Sequence, residues 1–221
     1  MKTLLGLSMV IALSGSGCGT SDTTSQASGT SGTSGDSSTG STTSGASSGA
    51  SSGSGVPPGS KRIFITHDTF LGNLANGGGL LGADKTCALA AQAASLSGAW
   101  KAWASTTTAN AIDRIVDVGP WFDLMGTKIF ENKDGLKTSP LASLWLDEQG
   151  KGLASENIWT GTNFGGIFSN TPTQEACTDW TSSSMGDGAK IGQVGRKDGA
   201  AWTAYSSTTC DQHAHLLCLE Q

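Results

Sequence analysis

The chain has 221 residues and a formal net charge of -5 at pH 7, with 13 Lys and Arg against 18 Asp and Glu. A site for nucleic acid or heparin needs clustered basic residues that displace counterions from a polyanion. The sequence contains no such cluster, which excludes both classes of partner.

The first segment, residues 1–17, has the three-part layout of a secretory signal. Lys2 gives it a positive start, an apolar run extends to Leu13, and small residues follow as far as Cys18. The run is shorter than the roughly 20 apolar residues that span a bilayer as a helix. We therefore expect an exported protein without a transmembrane helix.

Cys18 is the odd member of the five cysteines. Its position resembles that of the cysteine of bacterial lipoproteins, which carries a thioether-linked diacylglycerol and becomes the mature N-terminus. The lipoprotein pattern has an aliphatic residue where this chain has Gly15. The resemblance implies a lipid anchor on Cys18 at the cell surface or outer membrane, and the alternative is cleavage by an ordinary signal peptidase near Gly17 or beyond.

Residues 18–60 are predicted to be a disordered linker. From Gly19 to Ser60 nearly every residue is Gly, Ser or Thr, and Asp22 and Asp36 are the only charged ones. Such a composition buries too little apolar surface to offset the loss of conformational entropy on ordering. A coil of this length spans on the order of 35 to 40 Å, so it would act as a tether.

Residues 61–221 are predicted to form one α+β domain, since they contain all seven Trp and the other four cysteines. Their sequence predicts a strand at Arg62–Thr66, a glycine-rich loop at Gly77–Gly82, a helix at Asp84–Leu96, a strand at Trp100–Trp103, and a short helix at Thr108–Val116 capped by Thr108. Short apolar pieces follow at 121–124, 128–130, 144–146, 158–160 and 213–219. Most of the stretch from Asn163 to Ser207 is predicted to be long surface loops.

The four remaining cysteines are expected to form two disulfides. Cys210 and Cys218 would lie about 26 Å apart in an extended segment, whereas a disulfide needs Cα atoms within about 7 Å. They should therefore pair with Cys87 and Cys177, in either a nested or a crossed arrangement. Each loop closed in this way stabilises the domain by roughly 3 to 5 kcal/mol.

Several motifs together carry a family resemblance. They are GGLLGADKTC at 78–87, LSGAWKAWAS at 96–105, IWTGTN at 158–163, CTDW at 177–180, and the segment 210–220. Their order and cysteine spacing resemble the endostatin domain of collagen, and still more the bacterial lipoproteins with an endostatin-like domain, among them the leptospiral surface proteins. The resemblance runs from Ile63 to Gln221. It implies a C-type-lectin-like fold with the nested disulfides Cys87 to Cys218 and Cys177 to Cys210.

The ligand sites of the wider family do not carry over to this sequence. Endostatin binds zinc through histidines before its first strand, where this chain has a linker without histidine. Its heparin site is an arginine cluster, and this domain has only Arg62, Arg114 and Arg196. The acidic-proline tripeptides that hold calcium in sugar-binding C-type lectins are absent. We therefore expect no metal and no cofactor.

His213 and His215 are the strongest candidate metal ligands. They are two residues apart on a predicted strand, so both side chains point to one face. A third ligand would have to come from His67 or a carboxylate such as Asp211. No feature of the sequence fixes that distance, and a core strand without metal is the preferred interpretation.

Asp147 and Glu148, together with Asp179 beside Trp180, are the candidate catalytic carboxylates. Adjacent acids in a turn-rich segment are usually solvated, and the sequence places no His or Lys as their partner, so we expect no enzyme.

The tryptophans are predicted to divide between the core and the surface. Trp100, Trp103, Trp159 and Trp180 are expected in the core, and Trp145 and Trp202 at the surface.

These observations predict a tethered, monomeric, non-enzymatic binding or adhesion module. Its loops from Asn163 to Ser207 would contact an extracellular protein or polysaccharide, as the leptospiral relatives contact host matrix and complement proteins. Two alternatives remain open. One is a secreted hydrolase that uses Asp147, Glu148 or the pair of His213 and His215, and the other is a structural component of the cell envelope.

Overall fold

An eight-stranded sheet organises residues 55–170 and 176–221, the part of the chain that the computed structural model describes. The strands are β1 (Lys61–Ile65), β2 (Trp100–Ala102), β3 (Trp121–Phe122), β4 (Lys128–Phe130), β5 (Asn157–Trp159), β6 (Gly188–Gln193), β7 (Ser206–Thr209) and β8 (His215–Glu220). The predicted signal segment, Cys18 and the linker up to residue 54 lie outside the described residues. The predicted α+β class is confirmed.

Five short helical segments and one 3-10 turn accompany the sheet. They are α1 (Leu74–Gly77), α2 (Gly79–Ala93), α3 (Ala111–Arg114), the 3-10 turn Lys133–Lys137, α4 (Ala176–Trp180) and α5 (Ala201–Ala204). Within the described ranges, no helix has the length and apolar character needed to cross a membrane.

Strand β8 lies at the centre of the sheet, in the order β4-β3-β1-β8-β5-β6-β7. It pairs antiparallel with β1, antiparallel with β2 and parallel with β5. All six of its residues are buried. The strands predicted from the apolar runs at β1, β5 and β8 are therefore confirmed, and each of these three strands is buried on both faces.

The core consists of two clusters separated by the sheet. Along β1, Phe64 belongs to one cluster, while Ile63 and Ile65 belong to the other, as the two-residue period of a strand requires. The four tryptophans predicted for the core are buried, and Trp145 is 49% exposed as predicted. The prediction for Trp202 is wrong, because its ring is buried against Trp103 and Phe130.

Helix α2 begins earlier than predicted, at Gly79 inside the glycine-rich segment, and ends at Ala93. Gly82 packs closely on the preceding turn, since a Cβ there would lie 2.8 Å from the Cβ of Ala75. Asp84 is consequently in the helix interior, where it binds Arg114 Nη2 at 2.6 Å and accepts a hydrogen bond from Ala102 N. Its carboxylate thus ties α2 to β2.

The segment from Asn163 to Ser207 was predicted as surface loops, and this prediction is wrong where the segment forms helix or strand. It contains β6 and α5, and β6 pairs antiparallel with β5 and β7. The glycine content suggested a loop, but Gly192 is required for packing inside a strand. A Cβ at this position would lie only 2.1 Å from the carbonyl oxygen of Trp202. Glycine here marks a close approach of two backbones.

The predicted helix Thr108–Val116 is also shorter than expected. Residues 106–109 form a bridged turn, with Thr106 N donating to Ala109 O, so α3 begins only after Asn110. Thr108 is therefore not its cap.

Two disulfides, Cys87 to Cys218 and Cys177 to Cys210, close nested loops. This is the pairing that the family resemblance implies. Cys177 lies in α4, whose five residues all have positive φ values between 45° and 67°. A left-handed backbone costs about 1 to 2 kcal/mol for each residue with a Cβ, so α4 is a strained turn held in place by its surroundings.

Candidate functional site

The segment that follows β1, residues 66–70, contains His67 and contacts the other two histidines of the chain, His213 and His215. Three adjoining cavities form one groove along this segment. The first cavity, of about 430 Å³, shares Phe70 and Thr86 with the second, of about 350 Å³. The second shares Thr69 and His213 with the third, of about 410 Å³. We call this surface the histidine groove, and its polar and apolar lining includes His67, Asp68, Phe70, Leu89, Glu148, Glu156, His213 and His215.

His67 is held at one end of the groove by two carboxylates. Its Nδ1 lies 2.9 Å from Oδ2 of Asp147, and its backbone N–H donates to Oε2 of Glu148 at 2.7 Å. The Asp147 side chain has no solvent exposure, while that of His67 is 54% exposed. The imidazole is therefore held by Asp147 on its buried side, while more than half of its surface is exposed.

Asp147 is buried because the turn around it satisfies its carboxylate. Oδ1 accepts hydrogen bonds from the backbone N–H groups of Gln149 and Lys151, at 2.9 and 2.8 Å. The other carboxylate oxygen, Oδ2, is the partner of Nδ1 of His67, so both oxygens of this buried group are bonded. The prediction that Asp147 and Glu148 are solvated is wrong, since their residues are 0% and 9% exposed.

His215 closes the other end of the groove. Its ring is 2% exposed, with Nδ1 2.7 Å from the carbonyl oxygen of Thr66 and Nε2 in contact with Oε2 of Glu156. His213, two residues earlier, is exposed and lines the same cavity. The two histidines thus share a face as predicted, but His215 is already occupied by protein acceptors.

Part of the cavity that His67 lines is apolar. Phe70 follows β1, and Leu89, Ala90 and Ala93 come from one side of α2. Leu89 is 53% exposed although it belongs to the helix that covers the core. The groove therefore combines a fixed polar side with an apolar side.

The other candidate residues lie elsewhere or in structural roles. Asp179 accepts hydrogen bonds from Thr107 N and Oγ1, at 2.8 and 2.7 Å, and so ties α4 to the 106–109 turn. Asp211 lines none of the three cavities. Among the described residues, no three His, Cys, Asp or Glu side chains are grouped as metal ligands.

The predicted binding region does present one exposed apolar turn. Asn163 N donates to Ile167 O, and the turn between them leaves Phe164 49% and Ile167 51% exposed. This turn belongs to none of the three cavities of the groove. The expected loop surface and the histidine groove are thus different places on the molecule.

Several groove residues were missed from the sequence, among them Glu156 and Leu89. Glu156 lies in a polar stretch with no pattern to mark it, and its role depends on the pairing of β5 with β8. Leu89 was predicted only as part of a helix, and it is exposed because the core face of α2 passes through Cys87 and Ala91.

In comparisons with known proteins, no family model and no curated protein matches the chain.

Proposed function

We propose that this protein is a lipid-anchored, non-enzymatic binding module of C-type-lectin-like fold whose histidine groove holds an extracellular protein or polysaccharide. The observation that carries the proposal is the fixed, half-exposed imidazole of His67 beside an exposed apolar wall. The export signal, the linker and the endostatin-like motifs support the tethered form of the proposal.

The geometry favours binding because the groove is preorganised. The carboxylate of Asp147 fixes the His67 ring before any ligand arrives, so little side-chain entropy is lost on association. An apolar wall with a few polar groups in fixed positions is the usual composition of a ligand site. Leu89 and Phe70 supply apolar lining in the same cavity as His67.

A binding panel with matched variants tests the proposal. Purified protein is titrated against matrix glycoproteins, complement regulators and envelope polysaccharides by surface plasmon resonance. For a ligand that binds, Leu89→Asp and His67→Ala should each reduce the affinity by about tenfold or more. Leu141→Asp changes a similarly exposed leucine outside the groove and should leave the affinity unchanged. Binding to none of the panel, or binding unaffected by both groove variants, would overturn the proposal.

The anchor is tested separately by mass spectrometry of the native N-terminus. The expected result is a chain that begins with diacylglycerol-modified Cys18. An unmodified N-terminus beyond Cys18 would show that the protein is secreted without a tether.

A hydrolase is the second candidate, favoured by the bond between His67 and Asp147. A histidine oriented by a carboxylate is the arrangement that activates a nucleophile as general base. No hydroxyl of the described residues is hydrogen-bonded to Nε2 of His67, so the attacking group would be water. Turnover of ester or glycoside substrates that is lost in both His67→Ala and Asp147→Asn would establish this function, and absence of turnover across the panel would reject it.

A further inference from the structure

We propose that the ligand of the histidine groove is a basic polypeptide, bound as an extended segment whose Lys or Arg side chains meet the groove carboxylates. This inference rests on the proposed binding function and names the chemical class of its ligand. Three observations support it: the carboxylates that line the groove, the lack of ion pairs for two of them, and the apolar surface beside them.

The groove is lined by several carboxylates. Asp68 and Glu148 line the first cavity, and Glu156 lines the third. No Lys or Arg is among the described residues that line any of the three cavities. A surface with this arrangement attracts a cationic ligand and repels a polyanion.

Two of the three carboxylates are not paired with a cationic group of the protein. Within the described part of the chain, Asp68 and Glu148 form no ion pair, whereas Oε2 of Glu156 contacts Nε2 of His215. By contrast, the carboxylates of Asp84 and Glu220 pair with arginines away from the groove. Asp68 and Glu148 are therefore available to an external cation.

Glu148 is the best-placed of these groups. The residue is 9% exposed, and its Oε2 accepts the backbone N–H of His67. Its Oε1 has no hydrogen-bond partner among the described residues and is not enclosed. A largely buried carboxylate with one free oxygen in a cavity is a strong acceptor for an ammonium or guanidinium group.

The shape of the groove fits the long side chains of Lys and Arg. Their methylene stems cover apolar surface while the charged end reaches a polar group. The stem would lie along Leu89 and Phe70, with the charge at Glu148. Asp68 lines the same cavity as Glu148, so a second basic side chain of the ligand would meet it there. An extended ligand would continue into the second cavity, which shares Phe70 and Thr86 with the first.

The test uses three short fluorescent peptides and the purified full chain. One peptide has lysine at alternate positions, and the other two have norleucine or glutamate in place of lysine. We expect the lysine peptide to bind, the norleucine peptide to bind about tenfold more weakly and the glutamate peptide not to bind. Raised salt should weaken binding of the lysine peptide alone.

Conservative variants assign the effect to the groove. Glu148→Gln keeps an oxygen that can accept the bond from His67 N, so the fold is retained while the charge is lost. Glu148→Gln and Asp68→Asn should each weaken the lysine peptide by about tenfold and leave the norleucine peptide unchanged. Glu131→Gln, which removes an exposed carboxylate paired with Lys128 outside the groove, is the matched control and should have no effect.

The outcomes separate this inference from the proposed function. Equal binding of the lysine and norleucine peptides, abolished for both by Leu89→Asp, would overturn the basic ligand and leave a binding groove. Equal affinity for the polyamine spermine would overturn the assignment to a polypeptide. If no peptide binds and the binding panel is also negative, both the inference and the proposed function fail.

Discussion

His67 and Asp147 are joined across 80 positions of sequence by a contact of 2.9 Å between Nδ1 and Oδ2. The same carboxylate accepts two backbone N–H groups from the turn that follows it. One buried side chain thus shapes a turn and fixes the orientation of the exposed imidazole.

Removal of this carboxylate should destabilise the domain. Asp147→Ala leaves the N–H groups of Gln149 and Lys151 without their acceptor, and we expect a loss of about 2 to 4 kcal/mol in the free energy of unfolding. Denaturant unfolding gives the value. Asp198→Ala removes a carboxylate that is 72% exposed and should change stability by less than about 0.5 kcal/mol. Similar losses for the two variants would contradict this account of Asp147.

The two disulfides should contribute unequally to stability. Cys87 and Cys218 are 131 positions apart, and Cys177 and Cys210 are 33 positions apart. In the chain-entropy model, loss of the longer loop costs about 5 kcal/mol and loss of the shorter about 4 kcal/mol. Release of the strained α4 turn reduces the second cost further. Thermal unfolding of the two double Cys→Ala variants should show this order, and the reverse order would contradict it.

Thr178 is strained in α4, and its replacement by glycine should stabilise the protein. Its φ is 53°, a conformation that is unfavourable for a β-branched residue. Glycine removes that penalty at some cost in unfolded-state entropy, for a net gain of about 0.5 to 1 kcal/mol. Thr127→Gly is the matched control, since Thr127 is also exposed but has no positive φ, and it should destabilise. The unfolding midpoints of the two variants should therefore move in opposite directions. A shift in the same direction would refute the strain assigned to Thr178.

Asp117 should make stability depend on acid pH. Burial acts to raise its pKa, but hydrogen bonds from Lys61 Nζ and from the amides of Gly119 and Val118 outweigh burial and hold the pKa below its ordinary value of 3.8. A lowered pKa in the folded state means that the stabilisation is present above the unfolded value and is lost as pH falls through the folded value. The stability difference between the wild type and Asp117→Asn should therefore shrink below about pH 4. A difference that grows toward acid pH would contradict this.

The sequence predicted the elements whose apolar residues are continuous. The strands near Arg62, Trp100 and His215 follow from buried, β-branched or aromatic runs. Strands β6 and β7 could not be predicted in this way, because Gly188–Gln193 and Ser206–Thr209 have the composition of loops. Their strand character comes from pairing with each other and from the close packing of Gly192 on Trp202.

The candidate site was predicted as separate residues and not as a site. His67, Asp147, Glu148, His213 and His215 each had a stated chemical possibility, but no pattern linked them. Their meeting depends on a parallel bridge between Ile65 and Asp147 and on the pairing of β1 with β8. Contacts between residues so distant in sequence are set by tertiary structure, which a single sequence does not reveal.

The central position of β8 has a consequence for the order of folding. This strand is the partner of β1, β2 and β5, yet it follows all three of them in the chain. Closure of the sheet therefore needs contacts across more than half of the chain, which makes folding intrinsically slow. In the order of strands, β8 alone joins the half of the sheet that holds β1 to the half that holds β5. The disulfide between Cys87 and Cys218 links α2 to this strand, so oxidation of the two thiols holds the junction of the two halves in place.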